Sequence, residues 1–422
     1  MKASVVIGAG YGDEGKGLVT DWLASNALAV GEKTSVVRFN GSAQAGHTVV
    51  SPGDKGEASR RHVFSHVGSG TFAGADTLLS QHFACHPAIF RKELRELHYK
   101  GIRPQITVDH RAIVITPFDQ FVNVLVEAHR EKVSSRHGSC GIGFGEAIER
   151  SKNPRYALYV HDMVDRVTFS DKLKLIRREW VPARLNQFDP SMAAAYASIE
   201  YWSEKDIIRL YNNFCETFLD HVNLDATDWV FDWAYAKRFD HLIFEGAQGL
   251  MLDQDYGHFP HVTRSNTGLK NVLAMTNQDN PLDVYYVTRA YTTRHGRGPL
   301  PHECLNGDKP HVGVHDYTNV TNPHQGHLRY GYLDLNVLTE AIKHDLRSAS
   351  LSRKIRYSLV ITCLDQVDYN PTWVVDGKRV EGILGQLIDD ICKLLPDIGQ
   401  IIGSGGPTRD TIGPMYKNWK AA

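Results

Sequence analysis

Ala3-Ser4-Val5-Val6-Ile7-Gly8-Ala9-Gly10-Tyr11-Gly12-Asp13-Glu14-Gly15-Lys16-Gly17 is the stretch whose reading decides the fold. A short β-branched run ends in a glycine-rich turn, and Leu18-Val19-Thr20-Asp21-Trp22-Leu23-Ala24 continues it as a helix. The turn therefore lies at the C-terminal end of a strand, where α/β proteins bind phosphates. Gly10 to Lys16 keeps the spacing G-x-x-x-x-G-K, in which backbone N–H groups approach an anion and the lysine adds a mobile positive charge. The next position departs from the pattern: Gly17 stands where a phosphate loop usually places the Ser or Thr that holds Mg²⁺. The loop carries Asp13 and Glu14 instead. A carboxylate beside phosphates makes sense only if it binds metal or handles a proton.

The whole chain narrows the class of partner. Its 422 residues carry 47 basic and 48 acidic side chains, a formal net charge of −1. Such a balance gives no long-range field for nucleic acid or membrane, so phosphate binding must be local and the partner small. Cys85, Cys140, Cys215, Cys304, Cys363 and Cys392 show no C-x-x-C spacing, which suits a reducing compartment. His82, Cys85 and His86 could be offered as metal ligands, but no second pair sits at zinc spacing and a structural role is read. With no basic segment leading a long apolar run, and no stretch approaching eighteen apolar residues, the expectation is a cytoplasmic protein that is neither exported nor membrane-inserted. No repeat, linker or low-complexity segment interrupts it, so residues 1–422 read as a single large α/β domain with helical and loop excursions.

Thr34-Ser35-Val36-Val37-Arg38-Phe39 reads as a second strand feeding the small-residue loop Asn40-Gly41-Ser42-Ala43-Gln44-Ala45-Gly46-His47-Thr48. His47 taken alone is a solvated loop histidine. Two glycine-rich loops after the first two strands would meet above the sheet edge, and there an imidazole suits an oxygen that gains charge. Val67 to Thr71 is another small-residue loop, Ala88 to Leu97 a helix, Ile106 to Val108 and Ala112 to Ile115 buried strands, and Phe121 to Val133 an amphipathic helix. Ser134 to Gly143, rich in hydroxyls and glycine, suits a second phosphate. Residues 165–240, with Trp180, Trp202, Trp229 and Trp233, read as packed helices without a site.

His241-Leu242-Ile243-Phe244 is a buried strand, and the uncharged donors and acceptors after it, from Glu245 to Thr267, suit a heterocycle and its ribose phosphate. Val284 to Val287 leads to a basic, hydroxyl-rich cluster from Arg289 to Pro299. Lys309 to Tyr332 is either a mobile loop over the site or a plain surface excursion. A late strand from Tyr357 ends at Asp365, placed to accept from a purine's exocyclic amine and ring N–H, and Ile401 to Pro407 ends the last strand in a glycine turn.

Taken in order, these motifs resemble adenylosuccinate synthetase over nearly the whole chain. The resemblance is carried by Gly12-Asp13-Glu14-Gly15-Lys16-Gly17, by Ala45-Gly46-His47-Thr48, by Phe244 to Gly249 with Val262-Thr263 and Ser265-Asn266-Thr267, by Ala290 to Arg294, by Leu364-Asp365, and by Gly406-Pro407 with Arg409. It implies a mostly parallel central sheet flanked by helices, phosphate-loop-like, and a ligase driven by a nucleoside triphosphate (GTP, or ATP or dATP). Asp13 would take the N1 proton of a 6-oxopurine nucleotide such as IMP while His47 stabilises O6 as it attacks the γ-phosphate. Lys16 and Mg²⁺ would hold the transferring group, with Asp13 and the Gly46 carbonyl as metal ligands. L-Aspartate would then displace phosphate from the 6-phosphoryl intermediate.

The same resemblance assigns nucleotide and phosphate contacts to Gly12, Glu14, Gly15, Gly17, Gln44 and Thr48, and further along to Ser139, Gln248, Thr263 and Arg294. Ser404 and Gly406 are nucleotide or phosphate contacts as well, and Asp365 would read the triphosphate's guanine. Thr321, Asn322 and Arg329 fall to the amino acid, Arg150 to the arginine that a partner subunit lends, and the assembly to a homodimer.

Three departures stand out. His137-Gly138-Ser139-Cys140-Gly141-Ile142-Gly143 replaces the family's T-T-G-R-G-I-G, Cys363 replaces a lysine that packs on guanine, and Val320 to Arg329 keeps one arginine where the family has several. The departures resemble the phage-type 2-aminoadenylosuccinate synthetases, which use dGMP, whereas Asp13 points to an inosinate-type substrate. A nucleotide-dependent switch protein would need Ser or Thr at position 17 and an N-K-x-D-like base motif. A degenerate relative would have lost Asp13 or His47 first.

Overall fold

A computed structural model describes residues 1–52, 59–133, 137–197, 203–225, 236–277, 279–305, 308–316, 319, 326–349 and 353–417. In chain order the first half gives strand β1 (Lys2–Gly8), helix α1 (Lys16–Ala29), β2 (Thr34–Arg38), β3 (His47–Ser51), β4 (Arg60–Phe64), β5 (Asp76–Leu79), α2 (Pro87–Tyr99), β6 (Ile106–Asp109), α3 (Pro117–Lys132) and α4 (Phe144–Ser151). Four helices, Arg166–Leu175, Val181–Asn186, Pro190–Ala197 and Glu204–Leu219, lead to β7 (Asn223–Asp225) and β8 (His241–Gly249). The second half runs through β9 (Leu282–Arg289), β10 (Thr292–Arg294), β11 (Arg329–Gly331), β12 (Leu333–Asp334), β13 (Ile355–Thr362), β14 (Thr372–Val375), β15 (Lys378–Glu381), β16 (Gln400–Ser404) and β17 (Ile412–Lys417).

Ten of these strands form one sheet in the order β17-β16-β13-β9-β1-β8-β2-β5-β6-β7. β17 runs antiparallel to β16, and every other pairing in this sheet is parallel. β1 holds the centre, with Val5 registered against Phe244 on one side and Val284 on the other. A central parallel strand is covered on both faces and therefore reads as an unbroken apolar run, as β1 does. Its alternate residues part accordingly. Val6 packs with Val19, Leu23 and Ala24 of α1, whereas Ala3, Val5 and Ile7 join Leu269, Val272, Leu338, Ile342, Leu387 and Ile391 from helices on the other face. A separate apolar cluster of Phe90, Val108, Phe118, Phe169, Ile208 and Phe218 fixes the helical excursions beside β5 and β6.

Several sequence expectations are corrected here. β8 does not stop at Phe244 but continues through Gly249, so Glu245 sits on a strand and is fully buried. Ala112 to Ile115 is buried but makes isolated bridges, Val114 to Cys85 and Ile113 to Tyr159, rather than a strand of the sheet. β16 is followed by β17, so the strand ending in the glycine turn is not the last. Trp202, Trp229, Trp233 and the segment Ser134 to Arg136 lie outside the described residues.

Candidate active site

Loops leaving the C-terminal ends of β16, β13, β9, β1, β8 and β2 share one edge of the sheet, and the sequence-derived candidates fall along it. Asp365, Ser404 and Gly406 follow or end β13 and β16, Asp13 and Lys16 follow β1, Gln248 lies on β8, and His47 opens β3 at the end of the β2–β3 connection.

The β1–α1 loop is closed from within. Gly15 caps α1 at a positive φ of 96°, where a side chain would also meet the Thr362 methyl at 3.0 Å. Glu14 turns inward: Oε1 accepts from the Gly12 and Gly10 amides at 2.7 and 3.2 Å, and Oε2 accepts from Lys16 Nζ at 2.6 Å, with both side chains buried. In this structure the Glu14 oxygens brace the loop's own amides and its lysine. Gly17 also finds its reason, because a Cβ there would stand 3.0 Å from His47 Cβ and 3.2 Å from Ser69 Oγ. The hydroxyl of an ordinary phosphate loop is excluded by the neighbouring histidine.

Asp13 is held in the left-handed region at φ 62°, its carbonyl accepting from Arg289 Nε at 2.6 Å. Its Oδ2 lies 2.8 Å from His295 Nε2. Burial opposes the charge, yet the His295 hydrogen bond and the nearby Arg289 and Lys16 hold the carboxyl below its usual range. Burial lowers His295, but Asp13 draws a proton to it and the net shift is upward.

His47 feels the charge of the same Lys16. Its Nδ1 is 2.6 Å from Glu245 Oε1, while Oε2 of the same carboxylate accepts from the Ser69 amide at 3.1 Å and faces Arg38 Nε at 3.9 Å. Burial alone would raise Glu245, but His47 and Arg38 bring it down to about 2. An ionised Glu245 fixes the proton of His47 on Nδ1 and leaves Nε2 as the free face of the ring. That Nε2 is buried without a partner among the described residues. Burial holds the ring's pKa down against the pull of Glu245.

Beside these groups opens a cleft. It gathers Gln44, Ser139, Gln248, Thr263 and Arg294 from the expected set, with Tyr11 and His295 joining the cleft to the loop. Both amide atoms of Gln44 and Oε1 of Gln248 are buried without a partner among the described residues, as recognition atoms for a polar ligand would be. Ser139 Oγ donates to Asn123 Oδ1 at 2.9 Å. Arg294 packs over the Tyr11 ring at 4.6 Å and donates to the carbonyls of His261, Arg297 and Pro299. Thr48 lies on β3, Gly46 is exposed just before it, and Asp365 is exposed beyond Cys363, itself at φ 60°. Ser404 Oγ is engaged with the Gly406 carbonyl at 2.9 Å.

Two further candidates are engaged within the chain itself. Arg150 is fully buried, bonded through Nε and Nη2 to both oxygens of Asp119 and further to the carbonyls of Val114 and Tyr156. Arg329 directs its fork at Glu303 and at the carbonyls of Gly296 and Gly298 rather than outward. Thr321 and Asn322 lie outside the described residues. Helix Val181–Asn186, in the segment read as free of sites, sends Arg184 to the cleft, where it meets Glu146 at 2.8 Å. No group of three or more His, Cys, Asp and Glu forms a metal cluster among the described residues, including His82, Cys85 and His86.

The family model for adenylosuccinate synthetase matches residues 5–385. The chain belongs to the adenylosuccinate synthetase family. It is 33% identical over 350 residues to adenylosuccinate synthetase of Halothermothrix orenii, covering 81% of this chain and 74% of the relative. It is 29% identical over 438 residues to adenylosuccinate synthetase 1 of Burkholderia lata, covering 99% and 88%. Two solved structures share the fold. Fully ligated adenylosuccinate synthetase from Plasmodium falciparum has a TM-score of 0.73 at 18% identity, with 98% of this chain and 99% of that one covered. Succinoaminodeoxyadenylate synthetase (PurZ) of cyanophage S-2L, bound to dGMP and to dATP as energy donor, has a TM-score of 0.58 at 16% identity, covering 98% and 95%. In the second half of the chain Glu245 and His295 are the members of the site that sequence reading left unassigned. Glu245 was hidden inside a glycine-rich run, and His295 among basic neighbours.

Proposed function

We propose that the protein joins the amino group of L-aspartate to C6 of IMP, giving adenylosuccinate, at the expense of a nucleoside triphosphate and through a 6-phosphoryl intermediate. One arrangement carries the reading: an ionised Asp13 and a buried His47 Nε2 without a partner among the described residues, both within the field of Lys16. Asp13 takes the N1 proton. His47, oriented by Glu245 and doubly protonated once the anionic substrates are bound, donates from Nε2 to O6 as negative charge gathers there, the ionised Glu245 offsetting the imidazolium, and Lys16 leaves Glu14 to meet the transferring phosphoryl group. Phosphate then leaves C6 as the amine attacks.

Mg²⁺ suits this donor set, because it is bound by one or two carboxylates plus substrate phosphates rather than by an all-protein cage. Asp13 and the Gly46 carbonyl would hold it, and when bound it supplies positive charge to the transferring group. GTP is the donor favoured by Asp365. The enzyme acts in the cytoplasm as a homodimer.

A second reading takes dGMP as substrate, with ATP or dATP as donor. Cys363 in place of the base-packing lysine and the altered Gly138-Ser139-Cys140 loop favour it, and the phage structure is of an enzyme bound to dGMP and dATP. The test is phosphate release with Mg²⁺ and L-aspartate across IMP, dIMP, GMP and dGMP crossed with GTP, ATP and dATP, with the product identified by mass spectrometry. A succino-adduct of IMP is expected. An adduct of dGMP alone selects the second reading, and absence of any purine-dependent phosphate release overturns both.

A further inference from the structure

The arginines around the cleft are not equivalent. Arg130 is neutralised by Glu127 at 2.7 Å, Arg184 by Glu146 at 2.8 Å, and Arg294 is bonded to three carbonyls. Arg264 and Arg297 also line the cleft and are exposed, yet neither guanidinium has a hydrogen-bond or ion-pair partner among the described residues.

Their backbone anchors converge on one wall. Arg264 directly follows Thr263, whose hydroxyl also makes no hydrogen bond among the described residues, and its stem lies 3.6 Å from the position of a Cβ on Gly145. The Arg297 amide lies 3.1 Å from the position of a Cβ on Gly138, which fixes its loop against the segment carrying Ser139. Glu149 feels the charge of Arg264 only after that of Lys152, to which it is paired at 2.8 Å. Two unneutralised guanidinium forks beside free hydroxyl capacity are the donor set for a phosphate monoester dianion.

We propose that Arg264 and Arg297, from the same subunit as the rest of the cleft, hold the monophosphate group of the purine nucleotide. The assignment rests on the ligase reading of this cleft. Arg150, by contrast, is buried and already neutralised by Asp119.

The test is calorimetric binding of IMP against inosine, and of dGMP against deoxyguanosine, to the wild-type protein and to Arg264→Ala, Arg297→Ala and the double variant. Both positions are exposed, so the variants are expected to keep the wild-type circular dichroism. The monophosphate should weaken by about tenfold or more per arginine while the nucleoside is unchanged, the scale of a lost charged hydrogen bond. Arg264→Lys with Arg297→Lys should recover part of the loss. A double variant that still prefers monophosphate to nucleoside by the wild-type ratio overturns the assignment, and so does a wild-type protein that does not distinguish the two. Whether the ligase reading itself stands is read separately, from purine-dependent phosphate release by the wild-type enzyme.

Discussion

Two parts of the same cleft are built on opposite plans. Around the β1–α1 loop every one of these charges is buried or half-buried and already answered: Glu14 by Lys16, Glu245 by His47 and Arg38, Asp13 by His295. At the outer rim Arg264 and Arg297 stand exposed, as Asp365 does beyond β13, and no partner in the described residues meets the two guanidinium groups. Groups that change protonation or meet developing charge need fixed orientation in a dry setting, because reorganisation at the moment of reaction raises the barrier. Groups that recognise a ligand gain by remaining hydrated until it arrives. The centre is therefore where substitution should cost rate and stability together, and the rim where it should cost affinity alone.

The sharpest way to break that division is Asp13→Asn. Asn tolerates the left-handed backbone that Asp13 adopts, so the fold should survive. Losing the base should lower kcat by about 10³- to 10⁴-fold, and a stopped assay with a melting curve would show whether rate falls without stability. Glu245→Gln should cost both. Without the carboxylate His47 loses its fixed tautomer and Arg38 faces no anion. We expect kcat to fall by about 10²-fold and stability by roughly 3 kcal/mol, as when one partner of a buried pair is removed. An unchanged urea midpoint would contradict the buried-pair account.

Away from the site, Asp345 tests whether burial without a cation behaves differently. It is enclosed between the Leu269 amide and the Tyr286 hydroxyl, and burial pushes its carboxyl up to about 7. Because the folded value lies above the unfolded one, its contribution to stability is full below about pH 4 and is lost as pH rises through 7. One proton held by the folded chain alone gives a slope of about 1.4 kcal/mol per pH unit. Urea midpoints between pH 5 and 8 should therefore fall more steeply for wild type than for Asp345→Asn, and parallel curves would refute the raised carboxyl. The smallest effect belongs to the rim: Asp365→Asn should raise KM for GTP about tenfold, leave kcat within a factor of about three, and move stability by less than about 0.5 kcal/mol.

Much of the centre was legible because its chemistry is local. Asp13 and Lys16 share one loop, and β1 announces itself by unbroken β-branched residues ending in glycine. What escaped was long-range pairing. Glu245 meets His47 across 198 positions, and the glycines around it imitate a loop although β8 runs straight through them. Arg150 read as the arginine a partner subunit lends, and nothing near it in sequence foretells that Asp119, engaged in capping α3 through Thr116, also holds its buried guanidinium. Arg184 was passed over because its helix is polar and aromatic without a glycine turn. Ala112 to Ile115 has the composition of a strand, but its neighbours supply single bridges and no ladder.

The placing of β1 sets the order in which this protein can come into being. Its hydrogen-bonding neighbours are β8 and β9, so β1, synthesised ahead of both, has no partner before residue 241 is made. The loop that follows it waits longer, since the Thr362 hydroxyl that holds the Glu14 carbonyl at 2.7 Å lies 348 positions downstream. Such non-local pairing makes folding slow and leaves apolar segments uncovered meanwhile. The β1–α1 loop is synthesised long before the segments that complete it.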